Sequence, residues 1–350
     1  MVLDVDNQWR MNIAVRADGG LKMGMGHLMR CCAIVEQFLA IGSSVRFYCS
    51  YGSDGISWLK TSHYNVTELP DQLLEDECYG LIRTFEQDNI DLVIFDSYQL
   101  TDEYISKVYH HGFFTVCIDD NELYHYKCDM IINSSLGAEK MLYWKSITRY
   151  KLLGGKYSIL RKEFIETEPT PFREPPRSIL IIMGGSDSNN YSIVALNGLY
   201  SLYDFEIHLV CGPLMQIPTE ILNAECKRRI EIHSNPHCVA EIMQKCVLAV
   251  SAGGGTVREL FAMGVVPLIV LQADNQYPLA DFLASISLPL CLGNYTEVGS
   301  EAINKAMNEL IKNTGKRKAY RERIMTLADR RGAMNVVEGI QQALNRRLCT

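Results

Sequence analysis

The chain lacks any long hydrophobic run. No stretch of about eighteen apolar residues occurs in its 350 positions, and residues 1–11 carry acids where a secretory signal would be basic and then apolar. Neither a membrane anchor nor a leader is expected, and the expected location is cytoplasmic. A basic surplus is also missing: 34 Lys and Arg against 41 Asp and Glu leave a formal charge of −7. That balance argues against a nucleic-acid binder. Twelve cysteines are present, but no CxxC and no Cys/His set has zinc spacing, so they read as buried reduced thiols. Low-complexity tracts and short-period repeats are absent as well.

What is present is the grammar of a two-domain α/β protein. The length exceeds what one ordinary core serves. Four of the eleven prolines fall within the eight residues 169–176, where missing N–H donors hold the chain extended. This places a linker at 166–178, between a domain at 11–165 and another at 179–300, with closing amphipathic helices over 301–350 that break near Gly332. Short Val/Ile-rich runs alternate with helical stretches on both sides of the linker. They lie at 12–16, 44–49, 91–96, 113–118, 129–133 and 150–153, then at 178–183, 206–211, 229–233, 246–251, 265–271 and 288–292. Several, such as Leu92-Val93-Ile94-Phe95, are apolar on both faces, as a parallel sheet covered by helices requires. The expected fold is α/β with two Rossmann-like, doubly wound domains facing across a cleft.

In such sheets ligands sit beyond the C-terminal strand ends, and the sequence there is polar or glycine-rich. After 12–16 comes Arg16 to Arg30, RADGGLKMGMGHLMR, a glycine loop with His27 at the start of an apolar helix. Alone it reads as an anion cradle with a histidine added as a candidate general base. Asp18 either orients His27 or stabilises the turn. Tyr98, after the run ending at Asp96, is either a packed loop aromatic or a hydroxyl facing the ligand. In the second half, Gly184-Gly185-Ser186 and Ser251-Ala252-Gly253-Gly254-Gly255-Thr256 lack the lysine of a P-loop. They still suit phosphate binding by backbone N–H groups. Glu259 is either the carboxylate of a capping box at Thr256-x-x-Glu259 or an acceptor for a ribose diol. Asn275-Gln276 caps a helix or reaches the ligand.

Together these segments resemble a known family. The pattern RADGG-x3-G-x-GH-x2-R, FDSY, IDD, GG-x-YSILRKEF, IMGGSD, SAGGGT-x2-E and ADNQ is similar to that of the PseG/SpsG family of nucleotide-sugar hydrolases. That family belongs to the GT-B superfamily and acts in pseudaminic acid biosynthesis. The resemblance runs from about Met11 to Leu344. It implies hydrolysis of a UDP-sugar at C1 by water, with UDP as leaving group and with no cofactor and no metal. It implies His27 as the base, with Tyr98 and Asn275 lining the sugar pocket and Asp18 beside His27. Arg16, Gly24, Gly26 and Arg30 complete the first loop's substrate contacts. For UDP it implies Gly184, Gly185 and Ser186, then Ser251 and Gly253, Gly254, Gly255 and Thr256, with Glu259 on the ribose and Gln276 nearby. A single base fits such chemistry, since UDP leaves without the proton that a glycosidase's second carboxyl supplies. The expected partner is the UDP-sugar alone, with the protein a monomer. A GT-B glycosyltransferase and a non-catalytic nucleotide-sugar binder remain the alternatives.

Overall fold

The computed structural model describes residues 10–20, 25–120, 127–185, 187–212, 215 and 230–348. Gly24 and Ser186 lie outside the described residues. Tertiary contacts divide the chain into two compact units, residues 1–161 with 331–350, and residues 162–330.

The first unit holds a seven-stranded parallel sheet. Its strands are β1 (Asn12–Ala17), β2 (Ser44–Cys49), β3 (Val66–Glu68), β4 (Leu92–Asp96), β5 (Phe114–Ile118), β6 (Met130–Asn133) and β7 (Tyr150–Leu153), in the order β3-β2-β1-β4-β5-β6-β7. The helices α1 (Gly26–Ala40), α2 (Gly55–Thr61), α3 (Leu74–Gln87) and α4 (Asp102–His110) alternate with the strands. Strand residues alternate between two cores. Ile13, Val15 and Ile94 pack with Leu28, Ile34 and Phe38 of α1. Ala14, Val93 and Phe95 pack on the other face with Leu81 and Phe85 of α3 and Ile105 of α4. Fully burying such side chains contributes about 1.5–3 kcal/mol each, so this two-sided burial fixes the strand register.

The order of strands matters most for function. Connections run from β1 outward to β2 and β3, then reverse to β4 on the other side of β1. This reversal opens a crevice beyond the carboxyl ends of β1 and β4, the usual ligand position in an open α/β sheet. Ala17 and Asp96 are register partners there.

The second unit repeats the scheme. Strands β8 (Ser178–Ile182), β9 (Glu206–Cys211), β10 (Ile230–Ser234), β11 (Leu248–Ala252), β12 (Val266–Leu271) and β13 (Cys291–Asn294) form a parallel sheet of order β10-β9-β8-β11-β12-β13. Its reversal point lies between β8 and β11. The helices are α5 (Lys162–Glu166), α6 (Tyr191–Gly198), α7 (Val239–Lys245), α8 (Thr256–Met263), α9 (Tyr277–Ser285), α10 (Ser300–Lys312) and α11 (Thr314–Met325). Asn313 caps α11 by accepting from the Lys316 amide at 2.9 Å.

A last helix, α12 (Gly332–Leu348), returns to the first unit. Val336, Val337 and Ile340 join the core under α1. Gly332 starts it because a Cβ there would meet the Ser158 carbonyl oxygen at 2.0 Å. The closing helices expected as one block over 301–350 thus divide between the units. The proline-rich stretch packs onto the second unit: Thr170 is fully buried, its amide donating to the Met263 carbonyl at 2.8 Å and its hydroxyl to that of Met243 at 3.0 Å. Two strand expectations shift. β3 is only three residues, two half-covered and one exposed, too short to make a pattern. The expected run 288–292 becomes a strand only from Cys291, because Leu288 and Leu290 are core residues preceding it.

Candidate active site

In the first unit, polar side chains gather at the reversal point. His27 is the second residue of α1, and Asp96 ends β4; both are buried. His27 Nδ1 lies 2.6 Å from Asp96 Oδ1. A carboxylate only accepts, so Nδ1 carries the proton, which in the neutral tautomer leaves the lone pair on Nε2. Nε2 forms no hydrogen bond among the described residues. Arg30, one helical turn on, donates from Nε to Asp96 Oδ2 and from Nη2 to Asp96 Oδ1, both at 2.6 Å, and from Nη1 to Asp120 Oδ2 at 2.5 Å. Its Nη2 also passes 3.1 Å from His27 Nδ1. With Nδ1 protonated, two donors meet there, so this is a close approach and not a bond.

Burial alone would raise the Asp96 carboxyl. The Arg30 guanidinium and its hydrogen bonds, together with His27, hold it below the usual carboxylate range. The same burial opposes the charge on Arg30, but Asp96 and Asp120 outweigh it and lock the guanidinium in its charged form. Tyr98 is 54% exposed, sets its ring edge against His27 with centroids 4.5 Å apart, and donates its hydroxyl to Asp120 Oδ2 at 3.0 Å. Burial and Asp120 keep that hydroxyl protonated. The arrangement is an imidazole held by a buried carboxylate, with a phenol beside it.

Asp18 and Arg16 stand elsewhere. Asp18 accepts from Arg16 Nη1 at 2.6 Å, from the Ser50 amide at 2.7 Å and from the Ser97 hydroxyl at 3.2 Å. Arg16 is fully buried, and it also donates to Glu77 at 2.9 Å and to the Ser50 hydroxyl at 2.7 Å. Tyr104 adds a hydrogen bond to Glu77 at 2.8 Å. This closed network ties β1 to α3 and to the turn after β2. The acid against His27 is therefore Asp96, with Asp18 stabilising the turn and Arg16 committed to structure. Arg30 acts on Asp96 and Asp120, and Gly26 opens α1 with nothing near the position of a Cβ.

In the second unit, Gly184 and Gly185 form the turn after β8, Gly184 with φ +88°. Asp187 accepts from the amides of Tyr191 and Ser192 at 2.9 and 3.1 Å and so anchors α6. Gly254 and Gly255 are exposed, with Thr256 half-covered, and they lead directly into α8. Their amides are among the unpartnered N–H groups of a helix start. Gly255 occupies the cap position without a side-chain bond, so no capping box forms at Thr256-x-x-Glu259. Glu259 is half-exposed in the first turn.

Three other expected contacts turn inward. The Ser251 hydroxyl is buried and bonds its neighbour's carbonyl at 3.1 Å. Gln276 Oε1 accepts from the amides of Gly253 at 3.0 Å and Gln272 at 2.8 Å. Gln276 thus pins the glycine loop to the end of β12, and the Gly253 amide is used inside the protein. Asn275 is exposed on the turn Asp274–Gln276.

No protein-family model matches the chain. Among curated proteins, it is 24% identical over 340 residues to the spore coat polysaccharide biosynthesis protein SpsG of Bacillus subtilis, covering 95% of this chain and 98% of that one. It is 28% identical over 188 residues to the UDP-2,4-diacetamido-2,4,6-trideoxy-beta-L-altropyranose hydrolase of Campylobacter jejuni, covering 52% of this chain and 64% of that one. An uncharacterized protein of Methanocaldococcus jannaschii is 26% identical over 294 residues, 79% of this chain and 59% of its own length. The chain thus spans less than two thirds of these last two relatives. Solved structures cover nearly the whole chain. Acinetobacter baumannii MurG has a TM-score of 0.68 at 15% identity, over 95% of this chain and 99% of that one. Arabidopsis thaliana UGT89C1 has a TM-score of 0.69 at 12% identity, over 97% and 99%. The fold is GT-B. The chain is thus similar to a polysaccharide biosynthesis protein and to a UDP-sugar hydrolase, and no helix among the described residues is long and apolar enough to cross a membrane.

Proposed function

We propose that this chain hydrolyses a UDP-linked diacetamido-trideoxy sugar at C1, releasing UDP and the free sugar for nonulosonic acid biosynthesis of the pseudaminic type. The observation that carries the reading is the His27–Asp96 pair at 2.6 Å, placed where a parallel sheet of this order presents its ligand site. His27 Nε2 takes a proton from water as the water oxygen bonds to C1. The C1–O bond breaks with its electron pair going to the UDP oxygen. Asp96 stabilises the imidazolium so formed, as the buried acid of a catalytic triad does.

UDP is assigned to the second unit. The amides of Gly254, Gly255 and Thr256 and the positive end of α8 suit a pyrophosphate, and Glu259 suits the ribose hydroxyls. Donors fixed before the reaction stabilise the developing charge without reorganisation, which lowers the barrier. Tyr98, exposed and beside His27, is assigned to the sugar, as is Asn275. The name of the Campylobacter relative supports hydrolysis. The alternative, transfer to an acceptor alcohol, is favoured by the many glycosyltransferases among the structural neighbours.

The test is incubation with a UDP-linked diacetamido-trideoxy sugar in 18O-labelled water. We expect UDP release without an acceptor and label in the sugar. Release only on addition of an acceptor would establish transfer. Label in UDP would mean P–O cleavage and remove the C1 mechanism.

A further inference from the structure

Three side chains outside the loops just described converge on one face of the second sheet. His208 lies on β9, and Glu231 and His233 lie on the edge strand β10. Glu231 is the register partner of His208. His233, two residues further on, shares that face because strand side chains repeat with period two. His208 Nδ1 is 3.1 Å from His233 Nε2 and 3.2 Å from Glu231 Oε2, and His233 Nε2 is 3.7 Å from Glu231 Oε1. The two rings stack 18° from parallel.

Hydrogen bonding alone leaves this group poorly satisfied. His208 is buried, and its Nε2 has no partner among the described residues. If Nδ1 bears the proton, the Nε2 lone pair is enclosed without a donor. If Nε2 bears it, as ligation through Nδ1 requires, that N–H stays enclosed and the Nδ1 lone pair faces the Glu231 carboxylate, a repulsion that a cation between them turns into attraction. The triangle of ligand atoms has a different natural reading. Around a tetrahedral ion with bonds of about 2.0–2.1 Å, neighbouring ligand atoms stand about 3.3–3.4 Å apart. The observed separations, taken to the nearer carboxylate oxygen for each histidine, bracket that value, and one ligand atom from each residue lies within 4.8 Å of the others.

We propose that His208, Glu231 and His233 bind a divalent transition-metal ion, zinc foremost, that clasps the edge strand β10 to β9. Two imidazoles and one carboxylate make a donor set suited to zinc, with a fourth position left for water. Burial holds both histidines below their usual value, against the pull of Glu231 and with Lys245 adding to the lowering. Neutral imidazole is the form that ligates. His208 sits in the middle of β9, and the Gly254–Thr256 loop follows β11 at the carboxyl end of the sheet. The site is therefore separate from the residues assigned to UDP, and its role is to secure an edge strand.

The test uses the full chain, stripped by chelator and titrated with Zn2+ and with Co2+ as a spectroscopic probe. One tightly bound ion per chain is expected, with visible Co2+ absorption and a higher melting temperature when zinc is present. His233→Gln and Glu231→Gln, both on the more open side of the cluster, should each weaken zinc binding by at least about tenfold. Both should keep the circular dichroism of the metal-free wild type. Absence of stoichiometric uptake by the stripped wild type would overturn the proposal. Uptake that survives both substitutions unchanged would overturn it too, since it would belong to other ligands such as the cysteine thiols.

Discussion

Replacing Asp96 by Asn tests whether the carboxylate beneath His27 sets the state of the ring. Asparagine keeps the size of the side chain but offers one acceptor where aspartate offers two. With its oxygen toward His27, the new amide nitrogen meets the Arg30 Nε–H that now lies 2.6 Å from Oδ2. Turned over, that nitrogen faces His27 Nδ1, moves the ring proton to Nε2 and removes the base. Either way the imidazolium loses its counter-charge. A unit pair at about 4 Å and an effective dielectric of about 20 is worth about 4 kcal/mol, and Arg30 on the same carboxylate reduces that. The tautomer error costs a triad about 10⁴ and overlaps with that loss rather than adding to it, so the expected fall in kcat is about 10³–10⁴ with little change in KM. Arg30 keeps Asp120, so the stability loss should lie near the lower end of the roughly 3–5 kcal/mol for a broken buried pair. UDP release is measured alongside a denaturation midpoint. Asp120→Asn, which leaves the His27–Asp96 contact intact, should slow the reaction far less and is the control if Asp96→Asn folds poorly. A folded Asp96→Asn enzyme with turnover within about tenfold of wild type would refute the positioning role.

Further outcomes follow from the same contacts. His27→Asn should leave UDP affinity unchanged, by calorimetry, and reduce turnover by at least about 10³-fold; unchanged turnover would take His27 out of the mechanism. Glu259→Ala should weaken UDP binding by about 1–3 kcal/mol, and an unaltered Kd would separate Glu259 from the ribose. Arg16→Met strands Asp18 and Glu77 in the interior, so we expect a loss of about 3–5 kcal/mol in denaturant unfolding with UDP affinity preserved; weaker UDP binding in a stable variant would return Arg16 to the site. Acid unfolding should register Asp96 as well. Its folded pKa is depressed, so its stabilisation is complete above the unfolded value of about 3.9 and is lost as pH falls toward the folded one. The stability difference between wild type and Asp96→Asn should therefore shrink across that acid interval, and a pH-independent difference there would contradict the depressed value.

The architecture was legible because parallel sheets announce themselves locally. Runs such as Leu92 to Phe95 are apolar at every position, a pattern that two-sided burial explains, and twelve Val/Ile-rich runs punctuated by helices allow few folds. Chemistry at the strand ends was legible in kind, since glycines and acids there stand out against the apolar runs. Pairings between strand ends were not. Asp18 lies on the same loop as His27, so it was the acid that sequence proximity offered; Asp96, 69 residues away, reaches the ring because the order β3-β2-β1-β4 sets β4 beside β1. A sequence prediction of that order would have found the pair, since the residue ending β4 must then face the loop after β1. Arg16 similarly reads as a ligand contact until the burial of Glu77 on α3 explains it.

The same topological argument limits what a glycine loop reveals. The two units reverse their strand order in the same way, yet they place different chemistry at the reversal. In the first, four charged or titratable side chains, His27, Arg30, Asp96 and Asp120, interlock within one turn of α1 and two strand ends. In the second, Gln276 reaches back to hold Gly253 and Gln272, while Gly254 and Gly255 are exposed at the start of α8. A side chain that consumes one amide of a glycine loop therefore selects which of the others face a ligand. Gln276→Ala should accordingly loosen UDP binding without touching UDP, and restoring affinity with Gln276→Glu, which keeps the accepting oxygen, would show that the oxygen and not the amide nitrogen does the holding.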